Sequence, residues 1–265
     1  MLICPVCSNE LLKIDNTYKC SLNHSFDKAK EGYVNLLSGR HKAGELIGDN
    51  RDMAKARRLF LETGHYDFLA ENICNYINKN NTVLDICCGE GYYTDFFRRK
   101  TGAVVSGFDI SKEMIKLAAK KYKETFFFVA NIARIPVADE SIDCAIQICA
   151  PFSEKEFARI LKKDGIMLSV VPGKRHLWGL KELLYETPYE NNEDDTQYES
   201  FVKTETITVR DTAVINGNDI IMSLFAMTPY YYKTSETDKN KIKNLTSLET
   251  EIEFDIRIFR KKVNK

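Results

Sequence analysis

The chain has 265 residues, of which 44% are hydrophobic and 29% charged, and its 38 basic side chains balance 38 acidic ones. This composition is typical of a soluble globular protein, and a net charge of zero excludes a polycation that coats nucleic acid non-specifically. No apolar run reaches the roughly 18–20 residues that a membrane-spanning helix needs, so we expect no membrane partner. The first residues show no basic segment followed by an apolar one, so we predict no secretory signal and a cytoplasmic location.

A cluster of zinc-ligand residues stands at the start of the chain. Cys4 and Cys7 form a C-x2-C pair, and Cys20 and His24 form a C-x3-H pair after a spacer that is predicted to be a hairpin. Zinc binds four such ligands at the corners of a tetrahedron, and a module this small needs the metal in order to fold. Four protein ligands leave no open position for a catalytic water, so the sequence predicts a structural zinc site.

A polar, glycine-bearing linker, "SGRHKAGELIGDN", follows the zinc module and leads into a predicted helix. Asp49 or Asn50 can cap this helix, and Gly64 ends it. Its predicted apolar stripe consists of Met53, Ala56, Leu59 and Phe60. We therefore predict a zinc-binding module (1–36), a linker with a hinge helix (37–65) and a large domain (66–265).

In the large domain, apolar strand segments alternate with amphipathic helices. Five predicted strands are "TVLDI", "VVSGFDI", "TFFFVA", "SIDCAIQICA" and "IMLSVV"; two more, "ETITVRDTAVI" and "EIEFDIRIF", follow a helix that begins near His176. This alternation indicates an α/β fold, with a mostly parallel, seven-stranded, Rossmann-like sheet that carries helices on both faces.

A glycine-bearing turn follows the first strand of this domain. The strand ends at Asp85, the turn contains Gly89 and Gly91, and the second strand ends at Asp109. In such sheets ligands bind at the carboxyl ends of the strands, where glycines admit a close ligand and the second acid can hydrogen-bond a ribose. A dinucleotide turn reads G-x-G-x-x-G, whereas this one reads C-C-G-E-G, and Glu90 would repel a pyrophosphate. The pattern favours a positively charged nucleoside cofactor, S-adenosylmethionine.

Cys87 occupies the position that the first glycine of such a turn usually holds. A small side chain is tolerated there if the backbone is extended with a negative φ, whereas a positive φ would weaken cofactor binding. We expect no disulfide between Cys87 and Cys88, because a bridge between neighbouring residues strains the peptide.

Several stretches together resemble the 23S rRNA (guanine-N1)-methyltransferase family, RlmA/RrmA. They are the zinc segment, "GDNRDMAKARRLFLETGHY", "LDICCGEGYYTDF", "FDISKEMIKLAAKKY", "IPVADESIDCAI", "PGKRHLWGLK" and "MTP". The resemblance covers nearly the whole chain and is weakest around 186–206 and after Pro229. It implies methylation of N1 of a guanosine in hairpin 35 of 23S rRNA, a zinc module that helps to grip RNA, and a homodimer.

The resemblance also implies which residues contact the cofactor. The family's contacts carry over onto Tyr66, Gly89, Glu90 and His176, and methyltransferases in general add Asp109 for the ribose and Asn131 with Ile132 for the adenine. Ala150 and Pro151 would lie beside the methyl group. His176 is also a candidate general base for the guanine N1 proton, the alternatives being cofactor contact or packing at a helix start.

Two other functions remain open. A methyltransferase of a small molecule would use the same loop, although the zinc module and the basic hinge at 51–58 count against it. A zinc-dependent RNA-binding factor with a decayed methyltransferase fold is the non-enzymatic alternative, and the intact Asp85, Gly89, Gly91 and Asp109 count against that. The sequence leaves open which guanosine of the hairpin is modified.

Overall fold

The computed structural model describes residues 2–37, 51–192 and 196–262. The predicted linker at 38–50, with its candidate caps Asp49 and Asn50, lies outside these residues. The zinc module contains a small antiparallel sheet in the order β1-β2-β3, which matches the hairpin predicted between the two ligand pairs. Its strands are β1 (Leu12–Ile14), β2 (Thr17–Lys19) and β3 (Ser25–Asp27).

The second sheet has the order β10-β11-β9-β8-β5-β6-β7-β4. Its strands are β4 (Val34–Asn35), β5 (Thr82–Ile86), β6 (Val104–Asp109), β7 (Phe126–Val129), β8 (Ile142–Ile148), β9 (Leu161–Pro172), β10 (Phe201–Asn216) and β11 (Ser247–Lys261). Strand β11 is antiparallel to both neighbours, and the other pairs are parallel. The predicted mostly parallel, seven-stranded Rossmann-like sheet is confirmed, with β4 as an additional two-residue edge strand.

Helices flank this sheet along the described chain. They are α1 (Arg51–Leu61), α2 (Asp67–Cys74), α3 (Tyr92–Thr101), α4 (Lys112–Lys121), α5 (Glu154–Ile160), α6 (Trp178–Leu184), α7 (Asn218–Ala226), α8 (Tyr230–Lys233) and α9 (Glu236–Lys243). Side chains alternate between two apolar cores, so that in β5 Val83 faces one core and Leu84 and Ile86 face the other. Strand order reverses between β5 and β8, which is where a ligand cleft is expected.

The zinc module shares a core with the large domain. Strand β4 follows β3 in the chain and pairs with β7, placing Val34 beside Phe128. Leu2 and Leu11 belong to the same buried cluster as Leu84 of the large domain. The predicted domain boundary after residue 36 stays a prediction, and apolar packing is continuous across the two parts.

Helix α1 buries a face that matches the predicted stripe only in part. Leu59, expected in the apolar stripe, is 41% exposed, whereas Ala54, Phe60 and Leu61 are buried. The helix packs against α7 and α4, and its inward surface also carries Arg57 beside the cofactor turn. The apolar pattern was misleading because charged residues occupy part of the inward face.

Candidate active site and metal centre

The four predicted zinc ligands converge on one point. The donor atoms of Cys4, Cys7, Cys20 and His24 all lie within 4.8 Å of one another. The Cys7 and Cys20 sulfurs are 3.6 Å apart, and Nδ1 of His24 lies 3.5 Å from Sγ of Cys4 and 3.4 Å from Sγ of Cys20. Tetrahedral zinc with its usual bond lengths separates such atoms by about 3.5–3.8 Å. The donor set therefore fits zinc.

Backbone hydrogen bonds hold both ligand pairs in tight turns. The Cys4 N–H donates to the Asn9 carbonyl (2.7 Å), and the Ser8 N–H donates to the Cys4 carbonyl (2.8 Å). In the second pair, the Cys20 N–H donates to the His24 carbonyl at 3.1 Å. All four ligands come from the protein, so the centre is structural.

A cavity of about 510 Å³ opens at the carboxyl ends of β5, β6, β8 and β9. It lies at the switch in strand order, as the fold class predicts. Six of the predicted cofactor residues line it: Tyr66, Asp85, Glu90, Gly89, Asp109 and His176.

Asp85, one residue before the end of β5, carries a buried carboxyl group. The Thr94 hydroxyl donates to its Oδ2 at 2.6 Å. Burial, with a smaller contribution from the nearby charge of Asp109, raises the pKa of Asp85 to about 7. A positive ligand group would favour the ionised form.

Asp109 ties the glycine turn to the end of the second strand. Its Oδ2 accepts the Gly89 N–H at 3.0 Å, and its Oδ1 accepts the Ser111 N–H at 2.8 Å. An acid at the end of the second strand is the group that can accept a hydrogen bond from a ribose hydroxyl in folds of this class. The acid thus shapes the turn as well as facing the cavity.

Cys87 adopts the conformation that the sequence left open. Its φ is +58°, in the left-handed region where a side chain is disfavoured. The residue lines the cavity, and burial raises the pKa of its thiol to about 12. Cys87 and Cys88 are both free, as expected. The cofactor turn therefore carries a strained residue at its first glycine position.

Glu90 supplies an acidic wall at the same turn. Its side chain is 1% exposed, and its Oε2 lies 3.2 Å from Nε of Arg58. Within the part of the chain that the structure describes, Oε1 is buried and accepts no hydrogen bond. An orphaned carboxylate oxygen beside the cavity fits the ammonium group of a bound amino acid moiety.

His176 and Tyr66 form a buried pair that also lines the cavity. The Glu253 N–H donates to Nδ1 of His176 at 3.3 Å, so the neutral ring carries its proton on Nε2. That nitrogen lies 3.4 Å from the Tyr66 hydroxyl oxygen and is placed to donate to it. Burial, aided by the charge of Lys181, lowers the pKa of His176 to about 3. This arrangement argues against the general-base hypothesis and favours a contact role.

Three predicted cofactor residues lie off the cavity wall. Gly91 has φ +82°, and a Cβ there would approach Cζ of Phe127 to 2.7 Å, so close packing requires glycine here, and its cofactor contact stays a prediction. The Asn131 side chain accepts the Ala133 N–H at 2.9 Å, and Ile132 packs against the core that the zinc module shares. The adenine contact of Asn131 and Ile132 stays a prediction.

The loop after β8, with Ala150 and Pro151, also lines the cavity, and its predicted place beside the methyl group stays a prediction. Gln147 shapes it: its amide nitrogen donates to the Ser169 hydroxyl at 2.6 Å, and its oxygen accepts the Ala150 N–H at 3.0 Å. Cys149, at φ +52°, turns the chain away from the strand.

Sequence reasoning missed part of the wall. The missed residues include Arg57 and Leu61 of α1, Asn191, and Met227, Thr228 and Tyr230 around the "MTP" segment. They belong to elements whose position in the fold could not be inferred from periodicity. The "MTP" segment, which belongs to the family resemblance, and the aromatic run after it were the available signals. None of the helices described is both long enough and apolar enough to span a bilayer.

Comparisons with known proteins give the family. The model of the RlmA N-terminal zinc ribbon matches residues 2–45, and a methyltransferase domain matches residues 83–165. The Bacillus subtilis protein YxjB, a candidate 23S rRNA (guanine-N1)-methyltransferase, is 28% identical over 97% of this chain and 96% of that protein. The 23S rRNA (guanine(748)-N1)-methyltransferase of Streptomyces fradiae is 31% identical over 69% of this chain and 67% of that protein.

The matched zinc ribbon coincides with the four converging ligands, and the matched methyltransferase domain contains the glycine turn and both strand-end acids. The chain therefore belongs to the 23S rRNA (guanine-N1)-methyltransferase family, and it combines a zinc ribbon with an S-adenosylmethionine-dependent methyltransferase domain.

Proposed function

We propose that this protein transfers a methyl group from S-adenosylmethionine to N1 of a guanosine in the hairpin 35 region of 23S rRNA. The cavity at the switch in strand order carries the proposal, because it joins the strand-end acids, the glycine turn and the loop after β8 in one cleft. Family membership supports the choice of 23S rRNA and of guanine N1. The choice of hairpin rests on the family resemblance in the sequence.

Different cavity residues bind different parts of the cofactor, which supplies a methyl group on a positively charged sulfonium. We assign the ribose to Asp109 and the amino acid moiety to Glu90, with the Gly89 backbone close to it. Asp85 adds a second acid that can ionise toward a positive group. Tyr66, held by His176, closes the wall on the opposite side.

Catalysis then depends mainly on holding the guanine nitrogen in line with the methyl group. Guanine N1 carries a proton at neutral pH, which must leave near the time of transfer. His176 has Nδ1 engaged with the Glu253 N–H and a proton on Nε2, so it offers no free lone pair. We therefore assign His176 to orienting Tyr66.

The substrate base must leave its stack to enter this cleft, which is cheapest in a loop or bulge of RNA. The zinc module is a candidate for gripping the surrounding RNA, because its shared core with the large domain fixes its place relative to the cleft. A homodimer and a cytoplasmic location are part of the same proposal, and light scattering of the purified protein tests the dimer.

The decisive experiment offers unmodified 23S rRNA and labelled S-adenosylmethionine to the purified protein, followed by primer extension. A methyl group on N1 blocks base pairing, so we expect one new stop at a guanosine of hairpin 35. Asp109→Ala should abolish the stop, and Asp211→Asn, an exposed acid on β10, should leave it intact.

A cofactor titration of the same preparation separates the alternatives. Cofactor binding without methylation of any ribosomal RNA would point to a small-molecule substrate. Absence of cofactor binding would contradict both enzyme functions and leave the RNA-binding factor.

A further inference from the structure

Arg58 of helix α1 contacts two parts of the large domain through one guanidinium group. Its Nε donates to Oε2 of Glu90 at 3.2 Å, and its Nη2 donates to the carbonyl oxygen of Leu117 in α4 at 3.3 Å. The side chain is one-quarter exposed, whereas Glu90 is buried. Arg58 thus covers the outer side of Glu90 and fixes α1 against the cofactor turn.

Glu90 lines the cavity, and its two oxygens differ in their partners. Oε2 faces Arg58, and Oε1 is the buried oxygen that accepts no hydrogen bond within the described residues. A buried carboxylate needs a positive partner to remain ionised. With Arg58 on one oxygen, the carboxylate of this cavity-lining residue is held in a single orientation, and the other oxygen still needs a partner.

We propose that Arg58 is a positioning residue, which keeps Glu90 ionised and aimed so that its free oxygen receives the positive amino group of the cofactor. This inference rests on the proposed function, and it adds a role for α1, the first helix described after the zinc module. Cofactor binding then requires α1 to pack against the cofactor turn. Loss of the contact between Arg58 and Glu90 should therefore weaken the affinity for the cofactor.

The charges around Glu90 agree with this role. Burial raises the pKa of Glu90, and the opposing effects come from Arg58 first, then from Lys121 of α4 and from Arg57. The hydroxyl of Tyr122, which follows α4, also faces this carboxylate. Arg58 is the member of this group that donates a hydrogen bond to Glu90, so its removal should raise the pKa of Glu90 most.

The test measures cofactor dissociation constants by calorimetry from pH 5.5 to pH 8.5. Arg58→Gln removes the positive charge beside Glu90, and Arg58→Lys keeps a positive charge there. Glu90→Gln removes the carboxylate itself. Lys55→Gln is the matched control, because it deletes one positive charge from an exposed position of the same helix. Asp85 also titrates in this range, but it is present in all these variants, so differences between them report on Glu90.

For Arg58→Gln we expect affinity about tenfold weaker than wild type near pH 6, with the difference shrinking toward pH 8.5, because one unit of pKa is a factor of ten in protonation. Glu90→Gln should bind weakly with no such pH dependence, and adding Arg58→Gln to it should change little. Arg58→Lys should recover most of the wild-type profile, and Lys55→Gln all of it.

An equal loss for Arg58→Gln at every pH would overturn the proposal, since it would indicate a purely structural role. Wild-type affinity in Arg58→Gln would overturn it as well, while leaving the proposed function in place. If the wild-type protein binds no S-adenosylmethionine at any pH, the proposed function fails and this inference fails with it.

Discussion

The zinc centre and the cofactor cleft are built in opposite ways. The zinc ligands lie within one short segment, Cys4 to His24, and two tight turns bring them together. The cleft draws its walls from segments between Arg57 and Phe254, which only the complete sheet brings together. A local site can be inferred from spacing, whereas a site assembled by topology can be inferred only where a fold rule applies.

Loss of zinc is expected to have the largest effect, and it tests whether the local site also supports the distant one. Cys20→Ser should reduce bound zinc from one ion per chain to none. Structural zinc is worth about 10–16 kcal/mol in small peptides, comparable to the whole stability of a domain. Because Leu2 and Leu11 share a core with Leu84, melting of the large domain should fall to a lower temperature too.

Calorimetric melting with metal analysis checks this expectation. Cys74→Ser, a half-buried cysteine remote from the cluster, serves as the control. An unchanged melting temperature in the zinc-free Cys20→Ser protein would mean that the two regions are energetically independent.

Gly91→Ala tests the packing beneath the cleft. A Cβ at this position would lie 2.7 Å from Cζ of Phe127 and 2.9 Å from Cβ of Ala118, and φ is +82°. The left-handed conformation and the overpacking together should cost about 2–5 kcal/mol of unfolding free energy. Denaturant unfolding measures the change.

Gly102→Ala separates the two contributions. Its φ is +69°, but a Cβ there would meet only atoms of Lys79, at 3.7 Å and beyond. We expect the conformational cost alone, about 1–2 kcal/mol. Equal losses in the two variants would show that the contact with Phe127 is relieved without cost.

Asp85 makes the cleft sensitive to pH. Its pKa is raised to about 7 in the folded protein, above the value of about 4 in an unfolded chain. Folding therefore favours the protonated form, and its contribution is complete below about pH 4 and lost as the pH rises through 7. Asp85→Asn should remove this decline and be more stable than wild type at pH 8 by about 1–4 kcal/mol.

Unfolding free energies of the two proteins at pH 5.5 and pH 8 measure the effect. Asp143→Asn is a control in which the change in unfolding free energy has the opposite sign. Hydrogen bonds from Lys162 and Thr82 lower the pKa of Asp143 despite its partial burial, so its ionised form stabilises the fold and the variant should be less stable than wild type. If Asp85→Asn and wild type lose stability in parallel between these pH values, another group is responsible.

The two regions also differ in what the sequence could predict. The zinc ligands followed from spacing, and Asp85 and Asp109 followed from the rule that parallel strands present their ends to the ligand. The inward face of α1 did not follow, because Arg57 lines the cleft and Arg58 contacts Glu90, while Leu59 is exposed. The periodicity of apolar residues predicts which face of a helix is buried. The prediction fails where charged side chains that belong to a site occupy part of the buried face.

The helices between β10 and β11 were not predicted, yet they complete the cleft through Met227, Thr228 and Tyr230. Helix α9, "ETDKNKIK", is almost entirely polar and gives little apolar signal, and α7 is apolar over much of its length. Neither pattern says which part of the sheet the helix will cover. That information lies in the tertiary packing of α7 against α1.

Substitution of Cys87 is expected to have the smallest and most local effect. The sequence left open whether φ at this position is negative or positive, and only the backbone geometry answers that question. At φ +58° a side chain costs about 1–2 kcal/mol relative to glycine, so Cys87→Gly should relieve strain in the turn. The lost packing of the thiol offsets part of this gain.

Cys87→Ala loses the same thiol and keeps the strain, so the difference between the two variants isolates the conformation. We expect the glycine variant to be about 1 kcal/mol more stable than the alanine variant and to bind S-adenosylmethionine several-fold more tightly. Equal affinities in calorimetric titration would mean that the cofactor turn tolerates its strained residue, and that cysteine at the first glycine position costs the cleft nothing.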